Sequence, residues 1–236
     1  MDSSIIFTGL LFQDEVQSAH WRQRGITIYT IMLYFREQIV SWIVVSDCLQ
    51  HDKMSVAAFT NDVILYIVSR FPEAKEVSIW TDGPASQYKN RYTFAFLVKL
   101  NQMYSQLKFQ WNFFATAHGK GPNDALGGRA KRHVAQQILT RKHLVKNAED
   151  FAVAMRNTKI KTTVMTDNDI QETCNALGLP ELCAATPAVP GINNTHCITQ
   201  VENAIHHIFW KFRHAGFHVW YKLIIRQGQQ LETQLN

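Results

Sequence analysis

The feature that most constrains the fold of this 236-residue chain is a change of hydrophobic period near residue 50. Before it lie three apolar runs, Ser4–Phe12, Ile26–Phe35 (ITIYTIMLYF) and Ser41–Ser46 (SWIVVS). The second and third are rich in the β-branched and aromatic residues that suit a pleated strand. Arg36-Glu37-Gln38 between them reads as a hairpin turn, so the three runs predict an antiparallel meander. After residue 50, Val56, Phe59, Val63, Ile67 and Phe71 recur at three- or four-residue steps, which marks one face of a helix. Pro72 stops that helix, because proline has no N–H to continue it. A buried strand Val77–Thr81, a helix Lys89–Leu107, a strand Phe109–Ala115 and a helix Asp124–His143 complete the order. Strands β-β-β, then α-β-α-β-α, predict a mixed α/β sheet with helices on its faces. Beyond residue 150 the pattern is weaker. Thr163–Val164 reads as a short strand, Asp167–Leu177 as a helix, Pro180–Gly191 as a loop, and residues 200–226 as helical or strand-like. Residues 151–236 are expected to form a small C-terminal appendage to a core spanning 1–150.

Composition narrows the class. Hydrophobic residues at 46% and charged residues at 18% indicate a globular chain rather than a disordered one. The formal net charge of +5 leans towards a polyanionic partner. Cys48, Cys174, Cys183 and Cys197 show no CxxC spacing, which suggests reduced thiols in a nuclear or cytoplasmic protein. The apolar run Ile5–Phe12 is too short to span a bilayer, and no basic residue precedes it, so no membrane partner is expected. The sequon at Asn193 is read as chance.

Two clusters carry chemistry. Asp82 follows an apolar strand and precedes Gly83-Pro84, which would put its carboxylate at the C-terminal mouth of a sheet, where α/β ligands collect. An ordinary turn is the plain alternative. The second cluster, His118-Gly-Lys-Gly-Pro-Asn-Asp124, follows another strand. Lys120 offers a point charge to a phosphate, while His118 or Asp124 can bind a divalent ion. Asp124 also lies where a helix begins and suits a cap. Paired carboxylates at one mouth are what a two-metal phosphoryl-transfer site requires, with two Mg²⁺ or Mn²⁺ ions roughly 3.5–4 Å apart and a third acid from another strand. From residue 118 to 146 the charge is one-sided. Lys120, Arg129, Lys131, Arg132, Arg141, Lys142 and Lys146 face a single acid, Asp124. Lys120, Arg129, Lys131 and Arg132 form a candidate phosphate track, against the plain alternative of a solvated helix face.

Four segments resemble a known family. They are Gln13–Trp21, Val45–Asp52, Trp80-Thr-Asp-Gly-Pro-Ala-Ser-Gln-Tyr-Lys-Asn90 and Trp111–Gly128, with Lys131-Arg132 after the last. They look like transposon-derived proteins abundant in animal genomes that carry an RNase H-like, DDE/D-type transposase core, and the resemblance covers about residues 13–200. An RNase H-like fold also has the strand and helix order read above. The resemblance implies that Asp82 is the acid of the fourth strand, Asp124 the acid at the last core helix, and His118 a motif residue near Mg²⁺ or Mn²⁺. DNA is the implied partner, and an oligomer is compatible with it. The resemblance also implies an Asp-Phe-Ala-Glu-Asn-Tyr-like strand before the Gln-Asp-Glu segment. Here that stretch reads Met1–Phe12, with Asp2 close to the expected place of the third metal ligand, so a degenerate or truncated first strand is expected.

Several rivals stand beside this reading. One is a non-catalytic nucleic-acid-binding or protein-interaction remnant; another is a hydrolase of small phosphate esters with a closed pocket. Asp47, His51 and Asp52 are read as a turn and helix cap rather than ligands. Cys174, Cys183, Cys197 and His196 fit no common zinc spacing. The basic-aromatic stretch from His206 to Trp220 is read as a packed terminal helix ahead of a base-stacking surface.

Overall fold

The structure is a computed structural model that describes residues 4–16, 24–50, 52–114, 121–189, 191–199, 207–214, 217–224 and 233–234. The strands before residue 17 and after residue 206 are described by their backbone pairing. Strand β1 (Ser4–Val16) runs antiparallel to β2 (Arg24–Phe35), which runs antiparallel to β3 (Gln38–Ser46). The expected hairpin has Arg36 and Glu37 as its two turn residues, and Gln38 pairs with Phe35 as the first residue of β3. Arg36 has φ 55°, because a two-residue connection matches the twist of its strands only with a positive φ.

Helix α1 (Lys53–Arg70) starts where the Asp52 carboxylate accepts the N–H groups of Met54 and Ser55 at 3.0 and 3.1 Å. This is the cap the sequence suggests. It ends at Phe71, immediately before Pro72. Then come β4 (Glu76–Thr81), α2 (Arg91–Met103), β5 (Lys108–Phe113) and α3 (Pro122–Leu139), in the order the periodicity predicts.

The remainder is α4 (Ala148–Met155), β6 (Lys161–Val164), α5 (Asp167–Ala176), α6 (Leu179–Ala185), β7 (Thr195–Thr199), β8 (His207–His214), β9 (Phe217–Ile224) and β10 (Thr233–Gln234). Two expectations are corrected here. The expected loop at Pro180–Gly191 begins as helix α6. Gly178, at φ 63°, turns the chain after α5, and Pro180 sits in the first turn, where its missing N–H costs nothing. Leu179 is buried against the core and holds the short helix there. The stretch expected as a terminal helix is instead the β8–β9 hairpin, with pairing from His207↔Ile224 to His214↔Phe217. Its aromatic and β-branched residues suit a strand, and β7 offers an edge to pair with.

All ten strands join one mixed sheet in the order β10-β9-β8-β7-β5-β4-β1-β2-β3-β6. Strands β4 and β5 run parallel to β1, and β6 runs parallel to β3. The segment after residue 150 thus adds strands at both edges. Alternation along β2 and β3 explains the layers. Tyr29, Ile31, Leu33, Phe35, Trp42 and Val44 face one core with α1, α2 and α5, whereas Ile26, Ile28, Ile43 and Val45 face a second core with α3 and α4. A strand buried on both faces reads as a continuous apolar run, as Ile26–Phe35 does. No helix among the described residues is long and apolar enough to cross a membrane.

Trp111 on β5 is fully buried, and its indole N–H donates to Thr81 Oγ1 at 2.9 Å, tying β5 to the last residue of β4. Thr81→Val should leave that N–H orphaned and lower the unfolding free energy by about 1–3 kcal/mol. Denaturant titration should show a lower midpoint at unchanged slope, and in a double-mutant cycle Thr81→Val should cost less in a Trp111→Phe background, which has no indole N–H to orphan. An unchanged midpoint for Thr81→Val would show that the bond contributes nothing.

Candidate functional site

The carboxylate of Asp82 leaves the sheet at the C-terminal end of β4, one residue after Thr81. The loop that follows is held by its own hydrogen bonds. The Pro84 carbonyl accepts the N–H groups of Gln87, Tyr88 and Lys89 at 3.2, 2.9 and 3.2 Å. Asn90 donates its side-chain N–H to the Ala85 carbonyl at 3.0 Å, while its Oδ1 caps α2 through Tyr92 and Thr93. The segment Trp80–Asn90 is therefore a built turn that fixes where Asp82 begins.

Asp124 is brought to the same edge by sheet register. Gly9 of β1 pairs with Thr81 of β4, and the next residue of β1, Leu10, pairs with Thr30 of β2. Thr30 and Leu10 thus stand one residue beyond the last paired row of β4, at the end where Asp82 follows Thr81. The buried side chain of Asn123 in the first turn of α3 donates to the Thr30 carbonyl at 3.4 Å, which pins the start of α3 to that row. Strands lie about 4.8 Å apart, so the helix start is within about 10 Å of β4 laterally. Asp124 Oδ2 accepts the Gly121 N–H at 3.0 Å, so the residue is a helix cap, as its place in the sequence suggests. It also faces Asp82. Burial raises the proton affinity of the Asp82 carboxyl, and the negative charge of Asp124 raises it further.

These two carboxylates suit one hard divalent cation, since Mg²⁺ commonly takes one or two carboxylates and keeps water or phosphate in its other positions. They do not suit a pair of cations. Among the described residues no group of three or more His, Cys, Asp or Glu side chains is arranged to hold a metal. The last β1 residue paired with β4 is Gly9, and Leu10 and Leu11 follow it in the sequence. Asp2, His118 and Lys120 lie outside the described residues; Ser4, which begins β1, pairs with Glu76 at the other end of β4. Asp47 follows the end of β3, and its Oδ1 accepts the Ala148 N–H at 2.9 Å at the start of α4.

Basic groups flank the pair on both faces of the sheet. On α3, Lys131 lies seven residues, two turns, beyond Asp124 on the same side, with Gly128 between them. A Cβ on Gly128 would stand 3.5 Å from an Arg132 guanidinium nitrogen, so that side chain folds back across the glycine towards Asp124. Lys131 is half-buried, whereas Arg129 and Arg132 are exposed. On the other face, Lys53 and Arg91 begin α1 and α2, and their charges lie 4.4 and 4.8 Å from the centre of the Tyr92 ring. Sequence patterns do not single out Lys53, Arg91 or, closer in, Lys89. A Cβ on Gly83 would stand 3.7 Å from Lys89 Nζ, so this ammonium packs against the residue next to Asp82. It lies 5.3 Å from the centre of the Phe113 ring, donates to the Asn193 carbonyl at 3.2 Å, and has its proton affinity lowered by burial. Its only sequence signal is its place in the turn after Asp82.

Fold and edge together define a mixed α/β domain with a carboxylate pair between basic helices. Residues 7–209 match the family described as "Domain of unknown function (DUF8701)", and the chain belongs to that family. No curated protein matches its sequence. Among solved structures it is similar to the human cytomegalovirus terminase nuclease domain, at 13% identity over 78% of this chain and 77% of that one, with a TM-score of 0.26. A manganese-soaked form of that domain gives 12% identity, 83% and 87% coverage, and a TM-score of 0.30.

The raised proton affinity of Asp82 has a consequence for stability. The folded carboxyl binds its proton more tightly than the unfolded one, whose ordinary value is 3.8, so stability falls as pH rises through the window between the two. Above that window the penalty is complete. Asp82→Asn should therefore raise the melting temperature at neutral pH, with the gain shrinking to nothing below about pH 3.8, where both proteins are uncharged at this position. A melting temperature at pH 7 equal to or below the parent's would contradict the electrostatic account.

Proposed function

We propose that this chain is an RNase H-like domain of transposase descent that performs cation-dependent phosphoryl transfer on DNA. The observation that carries the reading is the meeting of Asp82 and Asp124 at the C-terminal edge of β4, one from the strand end and one from the first turn of α3. Strand order supports it: β5-β4-β1-β2-β3, with β1 to β3 antiparallel and β4 and β5 parallel to β1, is the arrangement of an RNase H-like core. The motifs Trp80–Asn90 and Trp111–Gly128 support the descent. Both ends of the site are built from them.

Asp82 and Asp124 are the residues that would hold Mg²⁺ or Mn²⁺, which when bound supplies neutralisation of charge on a phosphate. Arg129, Lys131 and Arg132 on α3 attract and align the strand backbone, and Lys120 is proposed to extend that track. His118 is proposed to stand beside the acids. Nicking of supercoiled DNA by purified protein in Mg²⁺ or Mn²⁺ tests the reading. Asp82→Ala and Asp124→Ala should each reduce nicking by about 100-fold or more, the scale on which loss of one transition-state-stabilising group acts. Equal nicking by parent and variants would assign the activity to a contaminant and sink the proposal.

A second reading is favoured by the described residues, among which no third His, Cys, Asp or Glu is grouped with Asp82 and Asp124. On this reading the domain binds nucleic acid without cleaving it. Both readings expect salt-sensitive binding. Replacing Arg129, Lys131 and Arg132 by Ala should reduce the slope of log K against log salt by about 1 for each of the three that pairs with a phosphate. An unchanged slope would remove α3 from the interface.

A further inference from the structure

Lys89 poses a physical problem. Its ammonium is half-buried, and among the described residues no carboxylate comes within salt-bridge distance of it. A cation drawn out of water is normally compensated by an opposite charge. Here it rests on the face of Phe113 and donates to the carbonyl of Asn193. An ammonium has three N–H groups, and the carbonyl takes one of them. The turn that carries Lys89 is closed by three hydrogen bonds to the Pro84 carbonyl, which fixes the backbone from which the side chain starts. The ammonium is partly desolvated and packed on the glycine that follows Asp82.

The neighbouring carboxylates give the location its meaning. Asp82 and Asp124 suit one cation, and among the described residues no third His, Cys, Asp or Glu is grouped with them. A phosphodiester held between one cation and this edge still has oxygens whose charge is unmatched. We propose that Lys89 is a substrate-binding residue of this site and takes a non-bridging oxygen of a DNA phosphate. The phosphate supplies the counter-charge that no described residue gives Lys89, and the ring of Phe113 favours the ammonium where it stands. The inference rests on the proposed DNA-processing reading for its ligand, but it makes a claim about binding that does not require turnover.

The test measures affinity of a fluorescent DNA duplex for parent, Lys89→Gln and Lys89→Arg in EDTA, across a salt series. Neutralising one phosphate contributes a slope of about 0.9, or about 8-fold in affinity between 0.1 M and 1 M salt. Lys89→Gln should bind about 5- to 10-fold more weakly at 0.1 M salt, with the difference closing towards 1 M. Lys89→Arg should keep the slope of the parent. Glutamine can still donate to the Asn193 carbonyl, so a purely structural lysine would leave Lys89→Gln at parental affinity, and that result overturns the proposal. Equal melting temperatures for parent and Lys89→Gln exclude misfolding as the cause of a loss. Parent protein that never nicks DNA, alongside a reduced slope for Lys89→Gln, removes the enzyme reading and keeps Lys89. Parent protein that nicks DNA, alongside an unchanged Lys89→Gln slope, keeps the enzyme and removes Lys89. Absence of salt-dependent DNA binding by the parent removes both.

Discussion

The register of β1 between β2 and β4 is the constraint on which the rest of the molecule depends. The strand pairs with β2 from Ile5↔Phe35 to Val16↔Arg24 and with β4 from Ser4↔Glu76 to Gly9↔Thr81, so it is locked from both sides. A slip of one residue would turn every side chain of β1 to the opposite face. In this register Gly9 meets Thr81 and Leu10 meets Thr30, and Asn123 then fixes α3 to the same row. The carboxylates of Asp82 and Asp124 come together because three separate pairings agree on one level of the sheet. Local geometry finishes the placement, through the Pro84 turn on one side and the Asp124–Gly121 cap on the other.

That placement works against stability. Burial and the charge of Asp124 both disfavour the charged form of Asp82, and no described histidine, cysteine or third acid is grouped with the pair as a metal set. Asp124 is partly compensated by the helix N-terminus, whose exposed N–H groups favour negative charge. Asp82 has no such help from β4. A sheet edge that served only to close the fold would gain by replacing Asp82 with a neutral residue, while Asp124 is retained by its cap to Gly121. Sites that do chemistry are where such local costs persist, because the ligand rather than the protein supplies the compensation.

Much of this is legible in the sequence, for identifiable reasons. The core strands and helices are readable because their period reflects how many faces are buried: every residue for Ile26–Phe35, every third or fourth for Val56–Phe71. Asp52 is readable as a cap because capping is local. The helix at Leu179–Ala185 is hidden by Pro180, a residue that breaks helix interiors but opens helices well. Strands β8 and β9 are ambiguous because their partner edge, β7, is itself five residues long and carries no strong pattern. Lys89 and Leu10 are invisible for a different reason. Their significance lies in what stands beside them across the sheet or the turn, and a single sequence does not encode pairing register.

Charge is distributed around the edge in two opposed parts. Basic residues lie on both faces of the sheet, with Lys53, Lys89 and Arg91 on the side of α1 and α2, and Lys131 and Arg132 on the side of α3. Between them sits an acidic pair. A polyanion would be drawn in by the flanks and repelled at the centre, so the two parts conflict unless something positive occupies the middle. On the proposed reading, a divalent cation on Asp82 and Asp124 would resolve the conflict on one side of a phosphate, and the ammonium of Lys89 would resolve it on the other. A surface built only to attract nucleic acid would have no use for the acids. A surface built only to hold a cation would have no use for the flanks.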